Sequence, residues 1–535
     1  MRALTMALAA LVGMAGFSAG ASAQETARFV SRVGGGAISG TESYTIADTP
    51  AGRDLTATVT LKRGGSESTL TLRESFDRAW AAERYEVNVS GAMGAASATA
   101  ERRQNVLALA VKTPAGSPTL SVPVTPRQVL MENLVAAPYQ VLLNVTGGEP
   151  GAITVVVPFQ MVTVGATLED GGAVDGTLDG KPIAARKLLL KVAGVTTEVC
   201  FDPATRRLLR VYTPGQDAEL RREGFELAGA SAPKPAAPPA GVTERTVTFR
   251  QIDGAPYPAV LCLPKAPSPA PLVVMLQGSG PNDRDETIGP NKPFRDIAWG
   301  LAERGVASLR YDKRTYAFPK AYTGTLDSES IDDGVDAVKF AATLPGIDHA
   351  HVYVLGHSLG GLAAIYVAER VRVAGLVLMA TAGRTMDKVI RDQVKELAAG
   401  RGDAALEETL QMQDRIMAKV RAGTATAAEL RGQPPATIRD MIVRDPIAEL
   451  EKTHVPLLVL RGDQDAQTFP EDFDALAAVA AKRPGSASRA FPGLTHIFTP
   501  TGGAGGVRAI FEPGHVSPAV IATIASWITT GSLPR

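Results

Sequence analysis

Two hydrophobic patterns divide the chain. Up to about residue 229, apolar and polar positions alternate in short runs: 55–61 (LTATVTL), 68–72 (STLTL), 85–89 (YEVNV), 106–111 (VLALAV), 153–157 (ITVVV), 187–192 (KLLLKV) and 198–201 (EVCF). Turn-like breaks such as GG, DG and TPAG separate them. Alternation at period two predicts strands with one buried face, and regular turns predict an antiparallel β domain. One helical segment is expected near 126–142. The stretch TTEVCFDPATRRLLRVYTPGQDAELRREGFEL reads as two strands joined by a turn, then a third.

Residues 230–241, ASAPKPAAPPAG, are too rich in proline and alanine to pack and predict an extended linker. Beyond it the pattern changes. Two strands (ERTVTFR, PAVLCLP) precede an alternation of apolar strands and helices: PLVVMLQ, a helix at 294–303, VASLRYD, a helix at 330–344, VYVLG, a helix from Leu359, and VAGLVLMA. Later come PLLVLRG, a helix at 472–481, SASRAF and a helix at 519–528. This order predicts a mainly parallel sheet covered by helices on both faces. Between about 384 and 450 no strand pattern occurs. Met386, Val389, Ile390, Val394 and Leu397 share one helical face, as do Leu406, Leu410, Met417 and Val420. The expectation is a helical cap inserted after the sixth strand.

The chain has 535 residues, 45% of them hydrophobic and 21% charged, which permits two or three domains with sizeable cores. Its formal net charge of zero gives no nucleic-acid footprint. The first 23 residues, MRALTMALAALVGMAGFSAGASA, combine a basic start, an apolar run and a small-x-small ending. They predict a signal peptide cut before Gln24, and hence a periplasmic or secreted mature protein. No later segment is long and apolar enough for a membrane span. The two cysteines, Cys200 and Cys262, fall in different predicted domains, so separate buried thiols are expected rather than a disulfide. Neither lies in a metal-binding spacing. The expected organisation is a signal peptide (1–23), a β-rich domain (24–229), the linker (230–241) and an α/β domain (242–535).

One stretch carries chemistry. HVYVLGHSLGGLAA (351–364) is an apolar strand, a G-x-S-x-G turn and a helix. A chain that reverses this sharply needs small neighbours, which Gly356 and Gly360 provide. The turn thrusts Ser358 out at the strand end beside a helix N-terminus, where it can act as a nucleophile. A serine hydroxyl needs a base to take its proton. In this strand–turn–helix context the chain order is serine, acid, histidine. Of the six histidines, only His496 and His515 follow a suitable acid. His496, in FPGLTHIF after the last strand, is preferred and His515 is the runner-up. RGDQD offers Asp463 and Asp465. The position three residues after Gly462 selects Asp465, while Asp463 suits the turn itself. The oxyanion donors are expected to be the backbone N–H groups of Leu359 and of Ser279, in the Gln277-Gly278-Ser279-Gly280 loop.

The runs QGSGPNDRDETIGPNKPF, LAERGVASLRYDKR, GHSLGG, RGDQDAQTFP and GLTHIF resemble bacterial α/β-hydrolases of the EstD-type carboxylesterase group, relatives of the serine aminopeptidase-like hydrolases. The resemblance covers 242 to the end. It implies an α/β-hydrolase fold with a helical cap, preceded here by a mainly antiparallel β domain. It also implies hydrolysis of short-chain acyl esters through an acyl-enzyme, with Ser358, Asp465 and His496 as triad and no metal or organic cofactor. RYDKRTYAFPKAY departs from the group, whose members usually carry a glycine-rich turn after the arginine. Asp283, Arg284 and Asp285 are expected to brace the oxyanion loop through ion pairs. The N-terminal domain loosely resembles β-rich envelope domains that wrap a lipid or lean on a partner, which leaves room for a lipid or envelope partner. Two other readings stay open: a peptidase using the same triad, and a non-enzymatic envelope binding protein.

Overall fold

The computed structural model describes residues 24–534, apart from 34–37, 64–65, 92–95, 113–118, 193–194, 229–236, 266–268, 319–320, 399–402, 427–428, 431–434 and 504. The expected signal peptide and most of the expected linker therefore lie outside the described residues.

The N-terminal half is one 16-stranded sheet. Its first eight strands form a meander from Gln24–Val33 to Thr119–Pro123. On its other side Gln24–Val33 pairs with Ala218–Arg222, and neighbouring strands then run back through the sequence to Gly151–Val157. All the pairings are antiparallel except that of Gln128–Leu130 with Gly151–Val157. Alternation sets the faces. In Arg53–Arg63, Leu55, Ala57 and Val59 enter the core while Thr56 and Thr58 face outward. Tyr85 and Val87 do the same in Ala82–Gly91.

The helix of this half is Ala137–Thr146, not the expected 126–142. Residues 128–130 are a strand instead. The first helical N–H groups need acceptors, and no side chain at Ala136 supplies one. Glu42, from a distant strand, takes the N–H of Ala136 at 2.6 Å and that of Ala137 at 2.8 Å. A start signal that arrives from elsewhere in the chain leaves no trace in the local sequence. The helix packs into the sheet's apolar face, burying Val141, Leu142 and Leu143.

The C-terminal half is an eight-stranded sheet. The order is Val242–Ile252, Ala255–Pro264, Ala307–Tyr311, Ala270–Leu276, Ile347–His357, Leu376–Met379, Leu457–Gly462 and Ala487–Phe491. The first two strands are antiparallel and the remaining six run parallel. Strand Ala270–Leu276 shows why its sequence is apolar throughout. Leu272, Val274 and Leu276 enter the core on one face, and Val273 and Met275 the core on the other. Helices Asp332–Ala341 and Leu359–Arg370 cover the first face; Pro293–Ala302 and Pro518–Thr530 cover the second. After the sixth strand come Met386–Ala398, Asp403–Ala422, Pro435–Ile442 and Pro446–Leu450. Met417, Val420, Leu430 and Ile442 form their own small core. Cys200 and Cys262 are separate buried thiols, pushed by burial up to about 11 and about 12. Among the described residues no helix is long and apolar enough to cross a membrane.

Three carboxyl groups lie inside the N-terminal sheet. Burial pushes Glu42 and Glu132 up to about 7, against hydrogen-bond donors that lower them. It drives Glu74 well above the usual carboxylate range, and neither oxygen of Glu74 has a partner. A carboxyl whose folded pKa is raised holds its proton longer in the folded state. Folding stability therefore falls as pH rises from about 4.5 to about 7. Glu74→Leu is expected to slow amide hydrogen exchange in Ser66–Phe76 and Ala82–Gly91 at pH 8, by about 1–3 kcal/mol of local stability. The gain should shrink towards pH 4.5; a gain independent of pH would contradict a charge origin.

Candidate active site

The strand Ile347–His357 runs directly into the helix Leu359–Arg370, with Ser358 between them. Ser358 sits at φ 54°, ψ −122°, a backbone conformation that a residue with a side chain rarely adopts. The cost is tolerated because the surroundings leave one path. A Cβ on Gly356 would stand 2.2 Å from the Gly360 carbonyl oxygen, and one on Gly360 2.1 Å from that of Leu276. A Cβ on Gly361 would stand 1.9 Å from Thr381 Oγ1. The three glycines let strand, helix and neighbouring strand approach to backbone contact. Ser358 is anchored by its own N–H, which donates to the Met379 carbonyl at 2.9 Å, and its side chain is half-exposed.

Asp465 and His496, the expected acid and base, lie side by side. His496 Nδ1 lies 2.8 and 2.9 Å from the two oxygens of Asp465. Asp465 also accepts from Thr468 Oγ1 at 2.6 Å and from the N–H groups of Gln467 and Thr468. Burial raises its pKa, but the His496 imidazole and these donors outweigh burial and hold it below the usual carboxylate range. An ionised acid on Nδ1 keeps the proton there and leaves Nε2 as the basic atom. Among the described residues neither Ser358 Oγ nor His496 Nε2 makes a hydrogen bond. Such contacts are often long without substrate and tighten in the reacting complex. The runner-up, His515, is an exposed surface residue paired with Asp296 at 3.1 Å. Asp463 braces the turn by accepting the Gly493 N–H at 2.7 Å.

The oxyanion loop follows strand Ala270–Leu276. The N–H of Gly278 is taken by Glu286 Oε1 at 2.6 Å, which leaves the next one, on exposed Ser279, as the loop's candidate donor. Leu359 is the first residue of its helix, so its N–H has no acceptor within that helix. Arg284 holds Asp312 through one guanidinium edge, with Nε at 3.0 Å and Nη2 at 2.7 Å. Asp285 pairs with Arg310 at 3.2 Å and Lys292 at 3.7 Å. Asp283 contributes by hydrogen bonds to Thr287 rather than by an ion pair. In RYDKR, Lys313 is buried, donates to the Gly278 carbonyl at 2.7 Å and pairs with Glu329.

A second carboxylate–imidazole pair lies behind the first, and sequence reasoning missed it. Glu286 Oε1, which holds the Gly278 N–H, also takes His357 Nδ1 at 2.9 Å. His357 Nε2 lies 3.0 Å from the His496 carbonyl oxygen, and the two rings are 4.7 Å apart. A backbone carbonyl only accepts, so His357 Nε2 carries a proton. Burial lowers the His357 pKa, but the adjacent Glu286 charge prevails and raises it. Through Glu286 and the His496 carbonyl, the buried His357 ring thus ties the loop after Ala270–Leu276 to the loop bearing His496. No local signal marks Glu286 and His357 as partners, because 71 positions separate them.

Residues 292–502 match the alpha/beta hydrolase family. The C-terminal half is an alpha/beta-hydrolase domain. Esterase EstD of Thermotoga maritima is 35% identical over 272 residues, which are 51% of this chain and 65% of that relative. The chain thus spans a little under two thirds of the length of the curated relative that it matches. A hyperthermophilic esterase from the archaeon Pyrobaculum calidifontis is 17% identical with a TM-score of 0.33, covering 55% of this chain and 87% of that one. A puromycin-hydrolyzing peptidase of Mycobacterium tuberculosis is 14% identical with a TM-score of 0.37, covering 92% and 77%. In the hydrolase domain the candidate groups sit at the C-terminal ends of the parallel strands, where open α/β sheets place their sites.

Glu286→Gln keeps the shape of the brace but removes its charge. The expected result in the hydrolase domain is a loss of up to about 10²-fold in kcat for a chromogenic ester, with KM little changed. Steady-state kinetics at several pH values checks this; a change confined to KM would exclude a positioning role.

Proposed function

We propose that this chain is an exported serine hydrolase that cleaves carboxylic esters, with short acyl chains, through an acyl-enzyme on Ser358. The observation that carries the reading is the Asp465–His496 hydrogen bond at the sheet end that also presents the strained Ser358. In this mechanism His496 Nε2 takes the Ser358 proton as Oγ attacks the ester carbonyl carbon. The carbonyl oxygen becomes an oxyanion held by the N–H groups of Leu359 and Ser279. Collapse breaks the bond to the alkoxy oxygen, which leaves as alcohol with the proton from His496. Water then repeats the sequence: His496 takes its proton, hydroxide attacks the acyl carbon, and Ser358 leaves with the proton restored. Asp465 stays ionised throughout and stabilises the imidazolium. Each oxyanion donor contributes about 3–4 kcal/mol of transition-state stabilisation.

The identity with Esterase EstD supports ester over amide chemistry. Export rests on the sequence of the first 23 residues. No metal or organic cofactor is invoked; among the described residues no group of acidic, histidine and cysteine side chains could hold a metal ion.

The full chain is expected to hydrolyse p-nitrophenyl acetate and butyrate faster than aminoacyl anilides, and a fluorophosphonate probe should label Ser358. Ser358→Ala should abolish labelling and lower kcat by about 10⁴-fold or more. Faster turnover of the anilides would make the protein a peptidase. Absence of both labelling and turnover would point to a binding protein.

A further inference from the structure

The N-terminal sheet encloses a cavity of about 250 Å³ on the face that carries helix Ala137–Thr146. Its wall is largely aliphatic, with Val155, Leu190, Val211 and Leu220 among the buried side chains. The polar groups of the far wall satisfy one another: Thr197 and Thr213 share a hydrogen bond at 2.9 Å. One carboxyl side chain, Glu132, is among the residues lining the cavity, and it is 8% exposed. Its Oε1 accepts from Tyr85 Oη at 3.2 Å and the Phe159 N–H at 3.3 Å, while its Oε2 has no donor among the described residues. Glu132 sits in the connection 131–136, where Leu134 is held at φ 62°, a costly conformation for a bulky residue. Exposed Asn133, Val195 and Gln216 also belong to the lining, so the cavity reaches solvent.

Apolar wall left against water costs stability in proportion to its area. Glu132, which lines the space, keeps one carboxyl oxygen without a donor among the described residues. A single ligand can cover the wall and use that oxygen. We propose that this cavity binds a single-chain alcohol, its alkyl chain against the aliphatic wall and its hydroxyl donating to Glu132 Oε2. At the ~30 Å³ that a water-sized group occupies, the space takes a chain of roughly eight carbons. A fatty-acid anion fits poorly above about pH 7, where Glu132 is ionised and would face its carboxylate with no cation among the lining residues. This site belongs to the N-terminal half and does not depend on the esterase reading.

The test uses the full chain carrying Ser358→Ala, so its outcome is independent of hydrolysis. 1-Aminoanthracene fluorescence should rise saturably on binding, and 1-octanol should displace the dye. Val192→Trp and, from another strand, Val157→Trp each fill the space. Either variant that retains the parent's thermal transition should weaken dye binding at least tenfold. Glu132→Leu should weaken octanol about tenfold and leave the dye within twofold. Sodium octanoate should compete at least tenfold less well than octanol. Absence of saturable dye binding, unchanged binding in the folded Trp variants, or octanoate competing as well as octanol would overturn the proposal.

Discussion

Everything at the hydrolase site depends on how closely three pieces of backbone approach. The Gly360 Cα lies so near the Leu276 and Gln277 carbonyls that any Cβ would fall 2.1 and 2.6 Å from their oxygens. The start of helix Leu359–Arg370 is thereby set against the end of strand Ala270–Leu276. Gly278 in that loop comes close enough that its own Cβ would lie 3.2 Å from Ser358 Cβ. A sheet of apolar strands, buried on both faces, is rigid enough to hold such contacts. The unfavourable backbone angles of Ser358 follow from them, as does the exposure of its hydroxyl.

Around this contact the protein uses buried charge to set direction rather than strength. Asp465–His496 and Glu286–His357 are two carboxylate–imidazole pairs packed side by side. The first stands at the sheet end that presents Ser358. The second reaches the Gly278 N–H on one side and the His496 carbonyl on the other. Lys313 and Glu329 hold the same loop from the Gly278 carbonyl. Each of these ions would be costly to bury alone. Paired, each bond has a defined partner and angle, so the loop bearing Gly278 and Ser279 and the loop bearing His496 share one frame. Lys313, the first lysine of RYDKRTYAFPKAY, is thus a buried structural partner of the loop that bears Gly278.

The N-terminal half shows the same economy with a different result. Glu42 caps a helix that has no cap of its own, and Glu132 turns one oxygen to Tyr85 and the Phe159 amide. Glu74 sits opposite Tyr85, and among the described residues its carboxyl makes no hydrogen bond. Antiparallel strands with strict alternation place side chains inside whatever their chemistry, because a register shift of one residue would expose the whole apolar face. Glu74 lies between Leu72 and Phe76 on the inward face, so the pattern that buries those two carries the carboxyl in with them.

Much of this was legible in the sequence, for a physical reason. Period-two alternation, continuous apolar strands and amphipathic helices are local consequences of where side chains point, so the strands of the C-terminal half, the helices after Leu450 and the most regularly alternating strands of the N-terminal half could be read directly, whereas Ile38–Asp48, Ala96–Arg103 and Val162–Leu178 were not. The G-x-S-x-G turn, RGDQD and GLTHIF were also legible, because each needs particular residues at the end of a strand. Helix Ala137–Thr146 was misplaced because its cap is Glu42, 94 positions from Ala136. The bond between Glu286 and His357, the burial of Lys313 and the cavity beside Glu132 left no local mark. Each exists only when strands far apart in the chain become neighbours, and that placement was decided by tertiary packing alone.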